Sequence, residues 1–200
     1  MSLRFPIVLV LSFVCLPTPA WADFETGMDG YQRGNYATAL SEWRPLAEQG
    51  DPSAQFYLGL LYEKGAGVPQ DYTAARKWYE KAAAQGYVMA QTSLGVLYEK
   101  GAGVPQDYTA ARKWYEKAAV RGYAMAQINL GVLYRSGHGV PQDDMRAYMW
   151  FSLAAAHLTG NLQKPAADSR DKITSLLTPA QIAEAQLLVR RCQAQQFKGC

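Results

Sequence analysis

The sequence predicts an all-α protein, a solenoid in which pairs of helices stack one after another along the chain. Three observations lead to this prediction. The chain of 200 residues repeats itself with a period of 36 residues. Apolar residues recur at helical spacing in two separate runs within each repeat. Tyrosine and tryptophan, which number 13 and 5, recur in step with the repeat. Together these features indicate stacked helix-turn-helix units.

The first segment, MSLRFPIVLVLSFVCLPTPAWA, is predicted to be a secretory signal peptide at 1–22. Arg4 gives it a positive start, an apolar run follows, and its last three residues form a small-x-small cleavage site after Ala22. A membrane anchor and a lipoprotein are the alternatives. The apolar run is shorter than the roughly 20 residues that span a bilayer, and large residues precede Cys15 where a lipoprotein has small ones. We therefore expect no membrane span after cleavage.

The repeat divides the rest of the chain into units. The first and second units are identical at 28 of 36 positions, and the second and third at 19 of 36. Upstream, Tyr36 and Ala39 lie one period before Tyr72 and Ala75, which predicts half a unit at that end. The predicted divisions are an N-terminal half repeat or cap at 23–50, repeat units at 51–86, 87–122 and 123–158, and C-terminal capping helices at 159–200.

Each unit is predicted to contain two amphipathic helices joined by a glycine-rich loop. In the first unit, Ala54, Leu58 and Leu61 follow the i, i+4, i+7 spacing of one buried helix face. A second run with helical spacing contains Trp78 and Tyr79. The loop Gly-Ala-Gly-Val-Pro-Gln-Asp ends the first helix with glycine and begins the second with an aspartate cap. We expect one aromatic column to lie in the core: Trp78, Trp114 and Trp150.

The repeated motif reads Ala-Gln-x-x-Leu-Gly-x-Leu-Tyr-x-x-Gly-x-Gly-Val-Pro-Gln-Asp, followed by Ala-x-x-Trp-Tyr-x-x-Ala-Ala-x-x-Gly, and it begins at Ala54, Ala90 and Ala126. It resembles the Sel1-like repeat, a relative of the tetratricopeptide repeat with a longer loop between its helices. The third copy departs from the motif at Phe151 and Leu158, as a terminal unit does. The resemblance implies a right-handed α-solenoid that acts through protein–protein interaction.

Some members of that family have been linked to penicillin binding or hydrolysis, and these carry a cysteine pair in every unit. No unit of this sequence contains a cysteine, so the resemblance assigns that activity to no particular residue.

The C-terminal segment is predicted to be a pair of capping helices. The first is expected over 164–177. Thr178, a proline and Gln181 then form the signature of a capping box, and the helix they begin continues to about Gln195. An open solenoid needs such polar-faced helices to cover its last apolar face.

Cys192 and Cys200 are the two cysteines left after signal cleavage, and an oxidising compartment favours a disulfide between them. Such a bond would fasten the tail of the chain to the last helix. Two free thiols are the alternative, because the sequence does not fix the pairing.

Composition and charge exclude several classes of function. Lys+Arg 20 against Asp+Glu 17 give a net charge of +3, without the clustered basic surface of a nucleic-acid-binding protein. The two histidines, His138 and His157, lie at unrelated positions of the third unit, which is poor material for a metal site or a Ser/His/Asp relay. The glycine loops lack phosphate-binding spacing. We therefore predict no catalytic residue, metal, cofactor or nucleic-acid partner.

A partner-binding surface remains. The two nearly identical units differ at eight positions, and six of these fall on or just before the first helix. In related repeat folds that helix lines the concave groove, where peptides or partner helices dock. Neutral drift at positions that packing leaves free is the alternative explanation. The predicted groove residues are Gln55, Phe56, Tyr57, Gln91, Ser93, Gln127, Asn129 and Arg135.

The sequence thus predicts a periplasmic or secreted scaffold or regulator of bacterial type that binds a protein or peptide and is not an enzyme. The resemblance implies roles such as regulating a membrane sensor, supporting envelope assembly or acting on host partners. The alternative is a cell-wall protein that contacts peptidoglycan through the tyrosine-rich groove, or one with a penicillin-binding or β-lactamase-like activity.

Overall fold

Ten α-helices follow one another in the computed structural model, which describes residues 23–159, 163–197 and 200. No strand occurs in those residues, in agreement with the predicted all-α fold. The predicted signal peptide at 1–22 lies outside the described residues. None of the described helices is both long and apolar enough to cross a bilayer. The helices are α1 (Phe24–Gln32), α2 (Tyr36–Glu48), α3 (Pro52–Lys64), α4 (Tyr72–Ala84), α5 (Val88–Lys100), α6 (Tyr108–Ala119), α7 (Ala124–Ser136), α8 (Asp144–His157), α9 (Gln163–Thr174) and α10 (Pro179–Ala194).

Helices α3 and α4 form unit 1, α5 and α6 unit 2, and α7 and α8 unit 3. The two helices of a unit pack closely because a glycine of the first faces an aromatic ring of the second. A Cβ atom at Gly59 would lie 2.7 Å from the ring of Tyr79, so a larger residue there would push the helices apart. The same pairing joins Gly95 to Tyr115 in unit 2 and Gly131 to Phe151 in unit 3.

The loop between the two helices has the predicted caps. Gly65 ends α3 with a φ of +66°, a left-handed conformation that glycine adopts without a steric penalty. Asp71 begins α4, and its carboxylate accepts a hydrogen bond from the backbone N–H of Ala74 at 2.9 Å. The same residue types bound the loops of the next two units: Gly101 and Asp107, then Gly137 and Asp143.

A ladder of glutamines ties each unit to the one before it. Gln55 of α3 donates from Nε2 to the carbonyl oxygen of Ala47 in α2, at 3.0 Å. The acceptor lies in the last turn of its helix, where carbonyls have no partner within the helix. The ladder therefore stacks the units in a constant register. At intervals of one period the same bond joins Gln91 to Ala83, Gln127 to Ala119 and Gln163 to Ala155, at 3.2, 3.2 and 3.1 Å.

The N-terminal segment contains two helices where the repeat predicted half a unit. Helix α2 lies one period before α4, and α1 precedes it across a shorter loop. Gly27 of α1 faces the ring of Trp43 in α2, as Gly59 faces Tyr79. The indole of Trp43 also donates from Nε1 to the carbonyl oxygen of Phe24 at 3.1 Å. The shorter loop puts α1 out of the 36-residue register, which explains why periodicity did not reveal it.

Helices α9 and α10 close the other end of the array. Helix α9 takes the position of a first helix, since Gln163 makes the next bond of the ladder, whereas α10 packs across α8 rather than along α9. The capping box is formed, because the backbone N–H of Thr178 donates to Oε1 of Gln181 at 2.9 Å and the Thr178 hydroxyl accepts from the Gln181 N–H. Cys192 and Cys200 lie at disulfide distance, with Cα atoms 5.4 Å apart.

The tryptophan column lies only partly in the core. Trp150 is 2% exposed, but Trp78 and Trp114 are half-buried, so the prediction of a core column is wrong for those two. Helix α10 covers the outer face of α8, whereas no described helix packs across the outer faces of α4 and α6. The buried column is the neighbouring one, formed by Trp43, Tyr79, Tyr115 and Phe151.

Candidate partner-binding surface

We define the first-helix face as the surface formed by the accessible side chains of α3, α5 and α7 and of the residues that begin them. Tyr57, Ser93 and Asn129 form one column on it, one period apart, and each is half-buried. Arg135, near the end of α7, is exposed. The structure therefore places four of the predicted groove residues where a partner can reach them.

The other four predicted groove residues lie beneath this face. Gln55, Gln91 and Gln127 are 4%, 6% and 0% exposed, and their amides make the ladder bonds. Phe56 is buried, and its ring centroid lies 5.6 Å from that of Tyr79. These residues have little surface left for a partner. The prediction of direct contact is corrected for them, because their role is to join and space the units that carry the face.

Tyr57 belongs to a cluster of tyrosines that spans several units. Its ring centroid lies 4.9 Å from that of Trp43. Burial raises the pKa of the Tyr57 hydroxyl, and the hydroxyls of Tyr87, Tyr31 and Tyr123 raise it further. The ring of Tyr31 lies 6.2 Å from that of Tyr57 between centroids, so the tyrosines of the N-terminal segment and of unit 1 are neighbours in space.

Tyr87 and Tyr123 are candidate binding residues that the predicted set did not include. They occupy the N-cap positions of α5 and α7, and neither side chain caps its helix. In unit 1 the same position is Asp51, whose carboxylate accepts a hydrogen bond from the Ala54 N–H at 2.6 Å. Replacing such a cap costs about 0.5–2 kcal/mol of helix stability. The sequence contained this signal, because Asp51 against Tyr87 is one of the eight differences between units.

Two tyrosine–glutamate pairs lie beside the column. The hydroxyl of Tyr79 donates to Oε2 of Glu63 at 2.6 Å, and that of Tyr115 donates to Oε2 of Glu99 at 2.6 Å. Burial raises the pKa of both tyrosines far above its usual value, and the neighbouring carboxylates raise it further. Both phenols therefore stay protonated donors at any physiological pH, and both carboxylates have a fixed partner.

Ser93 and Asn129 reach these pairs from the next unit along the chain. Hydrogen bonding from Ser93 acts to lower the pKa of Tyr79, and hydrogen bonding from Asn129 does the same for Tyr115, although burial outweighs both. The two column residues thus combine a contact between units with an accessible edge.

Unit 3 replaces both members of the pair. Phe151 stands where units 1 and 2 have the tyrosine, and Arg135 stands where they have the glutamate. The two changes belong together, because a phenylalanine ring offers the carboxylate no hydrogen bond. The outcome is an exposed guanidinium at one end of the first-helix face.

The two histidines lie apart. The exposed ring of His138 stacks on Tyr108, with centroids 4.5 Å apart, and Nδ1 of His157 lies 3.3 Å from Oε1 of Gln127. Within the described part of the chain, no group of three or more His, Cys, Asp or Glu side chains is arranged to hold a metal ion.

The chain is similar to known repeat proteins over most of its length. The family model described as Sel1 repeat matches residues 52–87, 88–123 and 124–157. A Sel1 repeat protein from Oxalobacter formigenes, known from its crystal structure, is 30% identical over 85% of this chain and 75% of that one, with a TM-score of 0.65. A protective antigen of uropathogenic Escherichia coli strains with an SLR fold is 28% identical over 87% of this chain and 46% of that one, with a TM-score of 0.59. No curated protein matches the sequence.

Proposed function

This chain belongs to the Sel1 repeat family, whose repeats generally serve as protein–protein interaction scaffolds, and we propose that it is an exported scaffold or regulator that binds a partner segment along the first-helix face. The partner is a protein or peptide in extended or helical form, laid across successive units. This is the mode in which repeat arrays present a continuous binding surface.

The observation that carries the proposal is the tyrosine at two successive N-cap positions. Tyr87 and Tyr123 give up a capping interaction that Asp51 provides in unit 1. The ring of Tyr87 packs in part on Phe56, with ring centroids 5.4 Å apart, and the accessible remainder of the ring is what a partner can contact. Tyrosine supplies a large contact area and a polar tip at low entropic cost, which is why it is enriched at binding hot spots.

The charges of the face indicate which partner it prefers. Glu63 and Glu99 are hydrogen-bonded to tyrosines, so they offer little to a partner. Arg135 is exposed and presents a planar set of donors that matches a carboxylate. We propose that the bound segment places an acidic side chain or its terminal carboxylate at this end of the face.

Export is the second part of the proposal. It is supported by the signal-peptide pattern at 1–22 and by the Cys192–Cys200 pair at disulfide distance, which suits an oxidising compartment such as the bacterial periplasm. Fractionation of expressing cells tests it, together with mass spectrometry of the mature N-terminus and of the thiol content. A retained N-terminus in the cytoplasmic fraction would contradict it.

The binding proposal is tested by selecting random peptides on the purified chain and measuring the affinity of the best peptide by calorimetry. The double variant Y87A/Y123A should weaken that peptide by at least about tenfold, as expected for hot-spot tyrosines. The matched control is K172A, an exposed residue of α9. R135E should abolish any preference for peptides with an acidic end. Equal affinity in all four proteins would contradict the proposal.

The cell-wall alternative is measured in the same preparation. Two results together would replace the scaffold proposal with a glycan-binding one. The chain would bind purified peptidoglycan, with this binding abolished in Y87A/Y123A, and the peptide selection would yield no binder. Turnover of a β-lactam by the purified chain would replace it with an enzymatic one.

A further inference from the structure

The outer faces of α4 and α6 carry two matching hollows, on the second helices of units 1 and 2. One has a volume of about 610 Å³ and is lined by Trp78 with Tyr62, Lys77 and Lys81. The other has a volume of about 550 Å³. It is lined by the residues one period later: Trp114 with Tyr98, Lys113 and Lys117. Each hollow is thus a half-exposed indole bordered by two lysines and one glutamate, Glu80 or Glu116, with Asp71 also at the first.

The third copy of this surface, on α8, is covered by α10 of the same chain. Leu188 and Cys192 of α10 surround one small cavity together with Met149 of α8. Val189 surrounds a second cavity together with Tyr148. The chain therefore contains one occupied example of the surface, and the occupant is an amphipathic helix.

The outer faces of α4, α6 and α8 carry different residues according to whether a helix covers the face. On α6 the outer face carries Arg112, Lys113, Glu116 and Lys117, and α4 carries the same four residue types. On α8 all four positions are uncharged: Tyr148, Met149, Ser152 and Leu153. Where α10 covers the face, these four positions carry no charge. Where the face keeps its lysines, an occupant must match positive charge as well as an indole.

The lysines of the two hollows are available for such an occupant. Each glutamate already pairs with the arginine four residues before it, at 3.7 Å between Arg76 and Glu80 and at 2.8 Å between Arg112 and Glu116. No ion pair of the described residues involves the four bordering lysines. Two of them lie on the indoles, with the ammonium 3.9 and 4.0 Å from the ring centroid: Lys81 on Trp78 and Lys117 on Trp114.

We propose that the outer faces of α4 and α6 are docking sites for an acidic amphipathic helix of a partner protein, which packs against Trp78 and Trp114 as α10 packs against α8. Apolar side chains of the partner fill the hollows, and its carboxylates pair with the bordering lysines. A second copy of α10 does not meet this description, because its exposed turn carries Arg190 and Arg191. This surface is separate from the first-helix face, and neither proposal depends on the other.

The test uses two synthetic helices made from residues 179–195, both with Cys192→Ala. One keeps Arg190 and Arg191, and the other carries glutamate at both positions. Each is titrated into the full chain labelled with ¹⁵N while the indole N–H signals are followed. The acidic helix should bind at least about tenfold more tightly than the basic one. It should shift the signals of Trp78 and Trp114 and leave those of the buried Trp43 and Trp150 in place.

Charge-reversed variants make the test decisive. In K77E/K81E/K113E/K117E the preference should invert, so that the basic helix binds more tightly. W78A/W114A should bind neither helix, and a native helical circular dichroism spectrum with a cooperative thermal transition shows that both variants fold. Equal binding of the two helices, or binding that survives W78A/W114A, would overturn the proposal. Shifts at Trp78 and Trp114 produced by soluble peptidoglycan fragments but by neither helix would overturn it in favour of a glycan site.

Discussion

Helices α6 and α8 carry the same tryptophan in the same register, yet Trp114 is half-exposed and Trp150 is buried. Their aspartate N-caps and their glycine-against-ring contacts with the preceding helix are alike. The difference lies in the neighbouring outer positions, which are charged on α6 and uncharged on α8, and in α10, which covers only α8. In a solenoid, then, the repeated residues set the stacking, and the residues that break the repeat decide which faces are covered.

The largest effect is expected when the two faces exchange a residue. Leu153→Lys puts a charge at a fully buried position without a partner, and should lower the free energy of unfolding by about 4 kcal/mol. The reciprocal change, Lys117→Leu on α6, should alter it by less than about 0.5 kcal/mol, because that position is exposed. Urea unfolding followed by circular dichroism measures both. A similar loss of unfolding free energy in the two variants would show that cover by α10 does not make the two faces different.

Truncating the shared tryptophan should give the next largest difference. Trp150→Ala removes a buried side chain and should cost about 3 kcal/mol, near the low end for such changes. The loss is moderated because the buried Nε1 of Trp150 has no hydrogen-bond partner among the residues that the structure describes. Trp114→Ala removes a half-exposed ring and should cost about half as much. The same urea titrations compare the two, and a larger loss at Trp114 would contradict the assignment of faces.

Removing the Cys192–Cys200 pair should loosen the packing of α10 on α8. The double variant C192S/C200S removes a constraint on a short loop, with a sequence separation of 8, and should cost about 2.5 kcal/mol by the chain-entropy argument. Hydrogen exchange should increase in α10 and in the outer turns of α8 and stay unchanged in α4. Unchanged exchange in α10 would mean that its packing alone holds it in place.

The smallest effect concerns the first-helix face. Tyr87→Asp restores the cap found at Asp51 and should stabilise the chain by about 1 kcal/mol while weakening the peptide selected in the binding test. Thermal unfolding and calorimetry measure the two effects, and Tyr123→Asp provides the replicate in unit 3. A variant that is less stable and binds normally would remove the functional explanation of the tyrosine.

Much of this structure could be predicted from the sequence, because repetition identifies packing positions several times over. The period identified α2 to α8, and the capping-box signature at Thr178 identified the start of α10. Helix α1 was missed because its loop is shorter than those of the repeat units. The exposure of Trp78 and Trp114 was missed because a tryptophan of this column is buried only where another helix covers it. Helix α10 covers α8 alone, and no local sequence pattern specifies that path.

The candidate site was predicted less well than the fold, for a physical reason. Comparison of the copies identifies the positions that vary, but it does not distinguish buried positions from accessible ones. Phe56 varies and is buried, whereas Tyr87 varies and is accessible. The glutamines of the ladder were predicted as contacts because they lie on the first helix of each unit, which lines the groove in related repeat folds. Their amides instead satisfy carbonyls at the ends of the preceding helices.

The glutamine ladder also bears on how such a chain can evolve. Every joint between units uses the same amide and the same carbonyl, one period apart, so an inserted copy of 36 residues meets both neighbours through bonds that already exist. A duplication in frame therefore lengthens the array without a new interface, and the 28 identical positions of units 1 and 2 are what such an event leaves behind. Selection can then adjust the number of units to the length of a ligand while the two ends of the protein stay as they are.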